Sequence, residues 1–406
     1  MSNTISTAAA PAAAASATPN IKSSEHTQRR FLYAVTALGL GAFAIGTGEF
    51  AMMGLLPDVA QDLAVSIPEA GHVVSAYAFG VVIGAPMFAV LTASWPRRTL
   101  LIALILLFAA GNFAGTMTGD FLSLNIVRFI AGLPHGAYFG VATLLAANMV
   151  APHKRATAVG LVILGLTSST LIGVPAATWL GQACGWQAAY VFVASLAVLS
   201  GVAVYFAVPD VPATKNANPR SELAALANKQ VWLTLGIGAV GFGGMFAVFS
   251  YIKPILTEVT HMSAGVIPLI LSLFGVGMVV GSMLGARLAD KNLLRSIAVL
   301  LLWNAVVLGG VSFAMSHTIS AIIWVFLLGT LVAIGPALQI RLMDVAGDAQ
   351  TLAAALNHSA FNVANALGAW LGGAVITMGY GWTSTGWLGA LLAVGGLAVF
   401  GLSIKK

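Results

Sequence analysis

The chain has 406 residues, of which 59% are hydrophobic and only 7% charged, whereas soluble domains carry about 25% charged residues. A soluble globular domain is thereby excluded. The net charge of +6 does not indicate nucleic-acid binding either, because Lys and Arg stand singly or in pairs between apolar runs rather than in basic blocks interleaved with aromatics.

Residues 1–30 are rich in Ala, Ser, Thr and Pro and lack the basic n-region and strong apolar core of a signal peptide, so a disordered cytoplasmic tail is expected there. Apolar runs follow at 31–56, 70–93, 99–118, 121–149, 157–181, 188–208, 230–253, 265–288, 296–315, 319–340, 351–377 and 384–403. Each can cross a hydrocarbon core of about 30 Å as a helix of roughly 20 residues, which predicts an all-α membrane protein with twelve transmembrane helices. With the amino terminus inside, 16 of the 18 Lys and Arg residues fall on cytoplasmic segments; Lys253 falls outside and Arg128 within a span. The positive-inside rule therefore puts both termini in the cytoplasm.

A shift of 197 residues aligns Gly41 with Gly238, Gly46 with Gly243, Pro57 with Pro254, Gly80 with Gly277, Gly84 with Gly281, Arg98 with Arg295 and Gly132 with Gly329. The chain is thus an internal repeat, read as an N-terminal six-helix bundle at 31–208, a cytoplasmic linker at 209–229 and a C-terminal six-helix bundle at 230–406. Six spans is an even number, so the halves run in the same direction and are related by an axis along the membrane normal.

Glu49 lies eighteen residues into the first apolar run, with no basic residue inside that run to pair with it. A charged side chain at membrane depth costs roughly 2.5–3.5 kcal/mol on insertion scales and marks a functional site by default; the alternative is a hydrated, structural carboxylate near the outer interface. In the fourth span, Arg128, Gly132, His135 and Phe139 share one helix face. Arg128 either serves this face or snorkels to the surface, and His135 either titrates or lines a cavity. The repeat places Val325 opposite Arg128 and Phe246 opposite Glu49, so the charges were kept in one half, read as the proton-handling half.

The eleventh span carries a polar stripe of His358, Asn362 and Asn365, with Asn357 beside it, which implies a wet cavity or interhelical hydrogen bonds. Asn112, Tyr138 and Phe246 are further candidates for a solute cavity. The Gly residues of the fifth span, Gly160, Gly165, Gly173 and Gly181, permit close backbone packing, and Pro175 removes a helical donor and bends the span.

On these residues the chain from 31 to 403 resembles the major facilitator superfamily. GEFAMMGLLPDVAQDL and RFIAGLPHGAYFG look like its drug:proton antiporter branch, near the arabinose efflux permease (AraJ-like) proteins. The resemblance implies a proton-coupling role for Arg128 through its R-x-x-x-G pattern, an efflux-branch motif in Gly165, Gly173, Pro175 and Gly181, and a gating loop in Gly285, Asp290 and Lys291. The counterpart of that loop in the first half departs from the pattern, with Ala93 opposite Asp290, so no gating salt bridge is carried onto it.

There is no GxxxxGK[ST] phosphate loop and no HExxH, and the one cysteine, Cys184, permits no disulfide or cysteine metal cluster. No cofactor or metal is expected, nor an enzyme. The expected partners are a small-molecule solute, protons and membrane lipid, with no nucleic acid, and the chain is expected to act as a monomer in the inner membrane. The reading is proton-coupled efflux of a drug, sugar or nucleoside by alternating access; an importer, a uniporter or a sensor on a transporter scaffold are the alternatives.

Overall fold

The computed structural model describes residues 21–65, 67–212, 219–263 and 266–404. Among these residues twelve helices are long and apolar enough to cross a membrane: α1 Gln28–Asp62, α2 His72–Leu91, α3 Arg97–Gly115, α4 Phe121–Asn148, α5 Pro152–Cys184, α6 Trp186–Ala207, α7 Lys229–Phe249, α8 Leu269–Lys291, α9 Leu293–Ala314, α10 Thr318–Val345, α11 Gln350–Tyr380 and α12 Ser384–Ile404. Side-chain caps fix several starts. Asp120 accepts from Ser123 N at α4, Asn228 from Gln230 N at α7 and Asn292 from Arg295 N at α9, each satisfying one of the backbone donors that a helix start leaves free.

The first helix begins at Ile21 rather than at Phe31, which corrects the expected tail over residues 21–30; residues 1–20 lie outside the described residues. Within the expected linker, Pro219–Leu223 is helical. Pro175 stands just after a wide turn of the i→i+5 kind at Ser169–Gly173, and prolines and such turns are both sites where a helix kinks.

The glycines shared by the repeat explain how each half is assembled. A Cβ on Gly80 would stand 2.2 Å from the Phe129 carbonyl oxygen, and one on Gly132 would stand 2.2 Å from that of Tyr77. The second half repeats the contact, where a Cβ on Gly277 would stand 2.1 Å from the Phe326 oxygen and one on Gly329 would stand 2.1 Å from that of Phe274. Helices α2 and α4, and likewise α8 and α10, therefore pack backbone to backbone, the close approach that stabilises helix pairs in lipid.

Polar contacts between the halves gather toward the end that carries the linker. Gln339 Nε2 of α10 donates to Thr143 Oγ1 of α4 at 2.9 Å, Arg155 pairs with Asp344 at 2.8 Å, and Asp290 of α8 accepts from the backbone of Ala156 and Thr157 at the start of α5. Tight apolar packing supports the same closure, since a Cβ on Gly140 would stand 2.7 Å from Ala355 N. The linker end of the seam is shut.

These distances predict that Gly84→Val, whose Cβ would lie 2.0 Å from the Leu133 carbonyl oxygen, lowers the thermal midpoint of the purified protein by several degrees, since overpacking costs about 1–3 kcal/mol. Gly401→Val, with nothing within 4 Å of its added Cβ, should leave it nearly unchanged; thermal unfolding followed by intrinsic fluorescence compares the two.

Candidate functional site

The α2–α4 contact brings the polar residues of the first half together. Because Gly132 presses on the backbone of Tyr77, the Tyr77 ring reaches one turn of α4 in each direction. It lies under the Arg128 guanidinium, 4.4 Å from Cζ to the ring centroid, and its hydroxyl is 3.0 Å from His135 Nδ1. Tyr77 thereby bridges the two residues of the α4 face.

Arg128 is fully buried, which excludes the snorkelling alternative. Its Nη1 donates to the Gly48 carbonyl at 3.1 Å and its Nε to the Val73 carbonyl at 3.5 Å. Gly48 immediately precedes Glu49, which is half-buried in α1. Among the described residues the ion pairs are Arg98–Asp210 and Arg155–Asp344, so the guanidinium holds the α1 backbone beside Glu49 without a direct ion pair to its carboxylate. A charge on either group then acts on the other across a poorly solvated interior, where screening is weak.

His135 continues the array to the seam. Its ring centroid is 5.5 Å from that of His358 in α11 and 5.2 Å from that of Phe139, while Phe139 stacks on His358 at 4.3 Å. Next to this pair, Asn357 Nδ2 donates to Gln339 Oε1 at 2.5 Å, and Gln339 is the residue that reaches Thr143 of the first half. Asn357, beside the α11 stripe, thus makes an interhelical hydrogen bond. Further along, Asn362 and Asn365 are half-buried, and Asn362 Nδ2 bonds back to the His358 carbonyl at 3.0 Å.

Three further cavity candidates lie apart from this array. Tyr138 is fully buried inside the first half, its hydroxyl donating to the Leu38 carbonyl at 3.1 Å, because Gly41 leaves room for it against α1. Asn112 is fully buried with its amide on the Phe108 carbonyl, close to Gly48, so it faces α1 rather than the second half. Phe246 packs at the α7–α11 contact, where it meets the backbone of Gly368 and the ring of Phe242.

The residues expected to gate also separate. Gly165 and Gly173 pack α5 onto α1, against Gly39 and Thr47, and Gly285 packs α8 onto Ala333 of α10; Lys291 is exposed. Of that set Asp290 alone makes a polar contact across the seam. Its carboxylate accepts from Ala156 N at 2.7 Å, from Thr157 N at 2.8 Å and from the Thr157 hydroxyl. Sequence reading missed Tyr77, Thr143 and Gln339 as a connected set. The available signal for Tyr77 was its position directly before the glycine-rich stretch of α2 that the repeat marks.

A sequence profile described as the Major Facilitator Superfamily matches residues 38–335 and, separately, 235–405. The chain is 39% identical over 375 residues to the inner membrane transport protein YdhP of Escherichia coli, covering 92% of this chain and 96% of that protein. It is 34% identical to AraJ of Escherichia coli over 361 residues, 88% of this chain and 92% of AraJ. A chloramphenicol resistance protein of Streptomyces lividans is 34% identical over 374 residues, 90% of this chain and 94% of its own. In fold the chain is similar to the proton:xylose symporter XylE, with a TM-score of 0.74 at 15% identity, covering 92% of this chain and 95% of the other.

The bridge through Tyr77 is expected to couple its neighbours energetically. Removing the hydroxyl leaves a buried His135 nitrogen without its partner, which costs about 1–3 kcal/mol. Tyr77→Phe and His135→Phe should each lower the thermal midpoint, and the double variant should lower it by clearly less than the sum; additive shifts would show that the hydrogen bond contributes nothing.

Proposed function

We propose that this chain, which belongs to the Major Facilitator Superfamily, exports a small organic solute in exchange for protons. Its two six-helix halves open alternately to the two sides of an inner membrane, with both termini in the cytoplasm. The chain is a membrane transporter, not an enzyme. What carries the proton-coupled reading is the placement of Arg128, a fully buried cation bonded to the carbonyl next to the intramembrane carboxylate Glu49 and joined through Tyr77 to His135 at the seam.

A carboxylate at membrane depth is costly when charged, so gain or loss of a proton at Glu49 changes the electrostatic state of the first half. That change bears on Arg128 and, through Tyr77, on His135 and the α4–α11 contact. Glu49 takes a proton from outside, the halves rock about their seam, and the proton leaves inward as solute leaves outward. Inward proton movement releases about 2.3 kcal/mol per 100 mV of membrane potential. The second half, where Phe246 and Val325 replace the counterparts of Glu49 and Arg128, handles the solute, with His358, Asn357, Asn362, Asn365 and Phe246 on or against α11; Asn112 and Tyr138 serve the first half from inside. Asp290 sets the balance between the two open forms through a contact made in one of them.

Export rather than uptake is supported by similarity to the chloramphenicol resistance protein and by the glycine and proline pattern of α5. The solute is a drug, sugar or nucleoside.

Glu49→Gln, which fixes the neutral form, is expected to abolish uphill export in vesicles with an imposed pH gradient while the protein still inserts and purifies normally. Retained uphill transport would contradict the role of Glu49. Arg128→Ala should abolish substrate-induced proton release, and Arg128→Lys should restore only part of it, since an ammonium lacks the planar fork of five donors.

A further inference from the structure

The two halves close the linker end with different parts. On one side of the pseudo-twofold axis, Asp290 at the end of α8 accepts hydrogen bonds from the first turn of α5. By symmetry the first turn of α11, the counterpart of α5, should meet an acid from the segment between α2 and α3. That place is held by Ala93, which is 1% exposed and has no group to offer.

A carboxylate is nonetheless present at the start of α11. Glu222, in the short helical turn Pro219–Leu223 of the segment joining the halves, accepts from Leu352 N at 2.8 Å and from the Thr351 side chain, and is 2% exposed. The guanidinium of Arg97, the first residue of α3, acts on it electrostatically and is itself 7% exposed. The backbone N–H of Arg97 donates to Val211, earlier in the same linker, at 2.9 Å. The linker is therefore held to the first half at Val211 and to the second half at Glu222.

We propose that Glu222 is a positioning residue for the transport cycle, supplying from the linker the α11-capping acid that the repeat lacks at Ala93. Free N–H groups and the positive end of the macrodipole make a helix start a favourable place for a carboxylate. Asp290 and Glu222 form a pair of caps, one on each half. Both caps exist only while the starts of α5 and α11 lie against the opposite face of the seam, so each favours the form closed at this end. Because the second acid sits on the linker rather than on a loop of the first bundle, closure also depends on how the linker lies against the start of α3. The inference rests on the alternating movement proposed above, but not on Glu49 or on the identity of the ion or solute.

The test uses Val141→Cys as reporter, in full-length protein with Cys184→Ser, reconstituted in nanodiscs. Val141 is 1% exposed and lines a cavity of about 350 Å³ at the linker end, together with Arg97, Val211 and Thr351. The rate of alkylation by a hydrophilic maleimide measures opening of that end. Glu222→Ala should raise the rate about fivefold, the effect expected for loss of one capping acid, and adding Ala93→Asp should return it to within about twofold of the parent. Glu222→Gln, which keeps an acceptor of the same length without the charge, should fall between and carries the test should the alanine variant not purify as a folded protein. An unchanged rate in both Glu222 variants, or a raised rate that Ala93→Asp does not lower, overturns the proposal. Glu49→Gln transport bears on the function proposed above, whereas these rates bear on Glu222 alone.

Discussion

A guanidinium sealed among apolar helices cannot shed its charge and must be met by acceptors that the fold supplies. Arg128 is met by two backbone carbonyls on two other helices, Gly48 of α1 and Val73 of α2, and by the face of Tyr77. Those contacts fix how α1, α2 and α4 sit together. They also require the missing side chains of Gly132 and Gly80, since a Cβ at either would strike the facing backbone. The same closeness brings Tyr77 to His135, and His135 to the α11 residues of the other half. One buried cation thus ties the carboxylate-bearing helix to the seam between the halves.

The repeat separates what holds a half together from what the half does. Glycines at 80, 84 and 132 recur at 277, 281 and 329 and make the same backbone contacts. The charged residues within the spans, Glu49 and Arg128, do not recur. Val325 and Phe246 stand where Arg128 and Glu49 have their counterparts, and both are accommodated in apolar packing: Val325 is fully buried and Phe246 lies against α11. At the linker end the asymmetry is reversed, with an acid at 290 and none at 93.

The fold was legible because its determinants are local. Run lengths, glycine spacing and the shift of the repeat all follow from what lipid demands of a backbone. The candidate site was legible only where a residue type is costly in itself. Glu49, Arg128 and the amides of α11 stood out for that reason, and Arg128 and Asn357 do make interhelical bonds. Asn112 and Tyr138 were read as solute-cavity candidates, an amide and an aromatic ring in apolar helices, whereas the Tyr138 hydroxyl and the Asn112 amide N–H each donate to a carbonyl within their own half. Tyr77 and Thr143 carry no such signal, and the amide of Gln339, though costly to bury, does not reveal its partners. Their importance lies in partners 58, 196 and 18 residues away, a pairing that no helical period encodes. In helix α5 the glycines Gly165 and Gly173 pack on α1, a contact partner that their spacing alone does not name.

Under the proposed function, the protonation of Glu49 and the closure of the linker end are two views of one equilibrium. The most direct measurement is the distance between spin labels at His153→Cys and Asp348→Cys, exposed positions on the two halves at that end, in a Cys184→Ser background across a pH series. The distance distribution should shift with pH in the otherwise unaltered protein and become independent of pH when Glu49→Gln is added. A distribution that ignores pH, or one that still follows it with Glu49→Gln in place, would contradict the account.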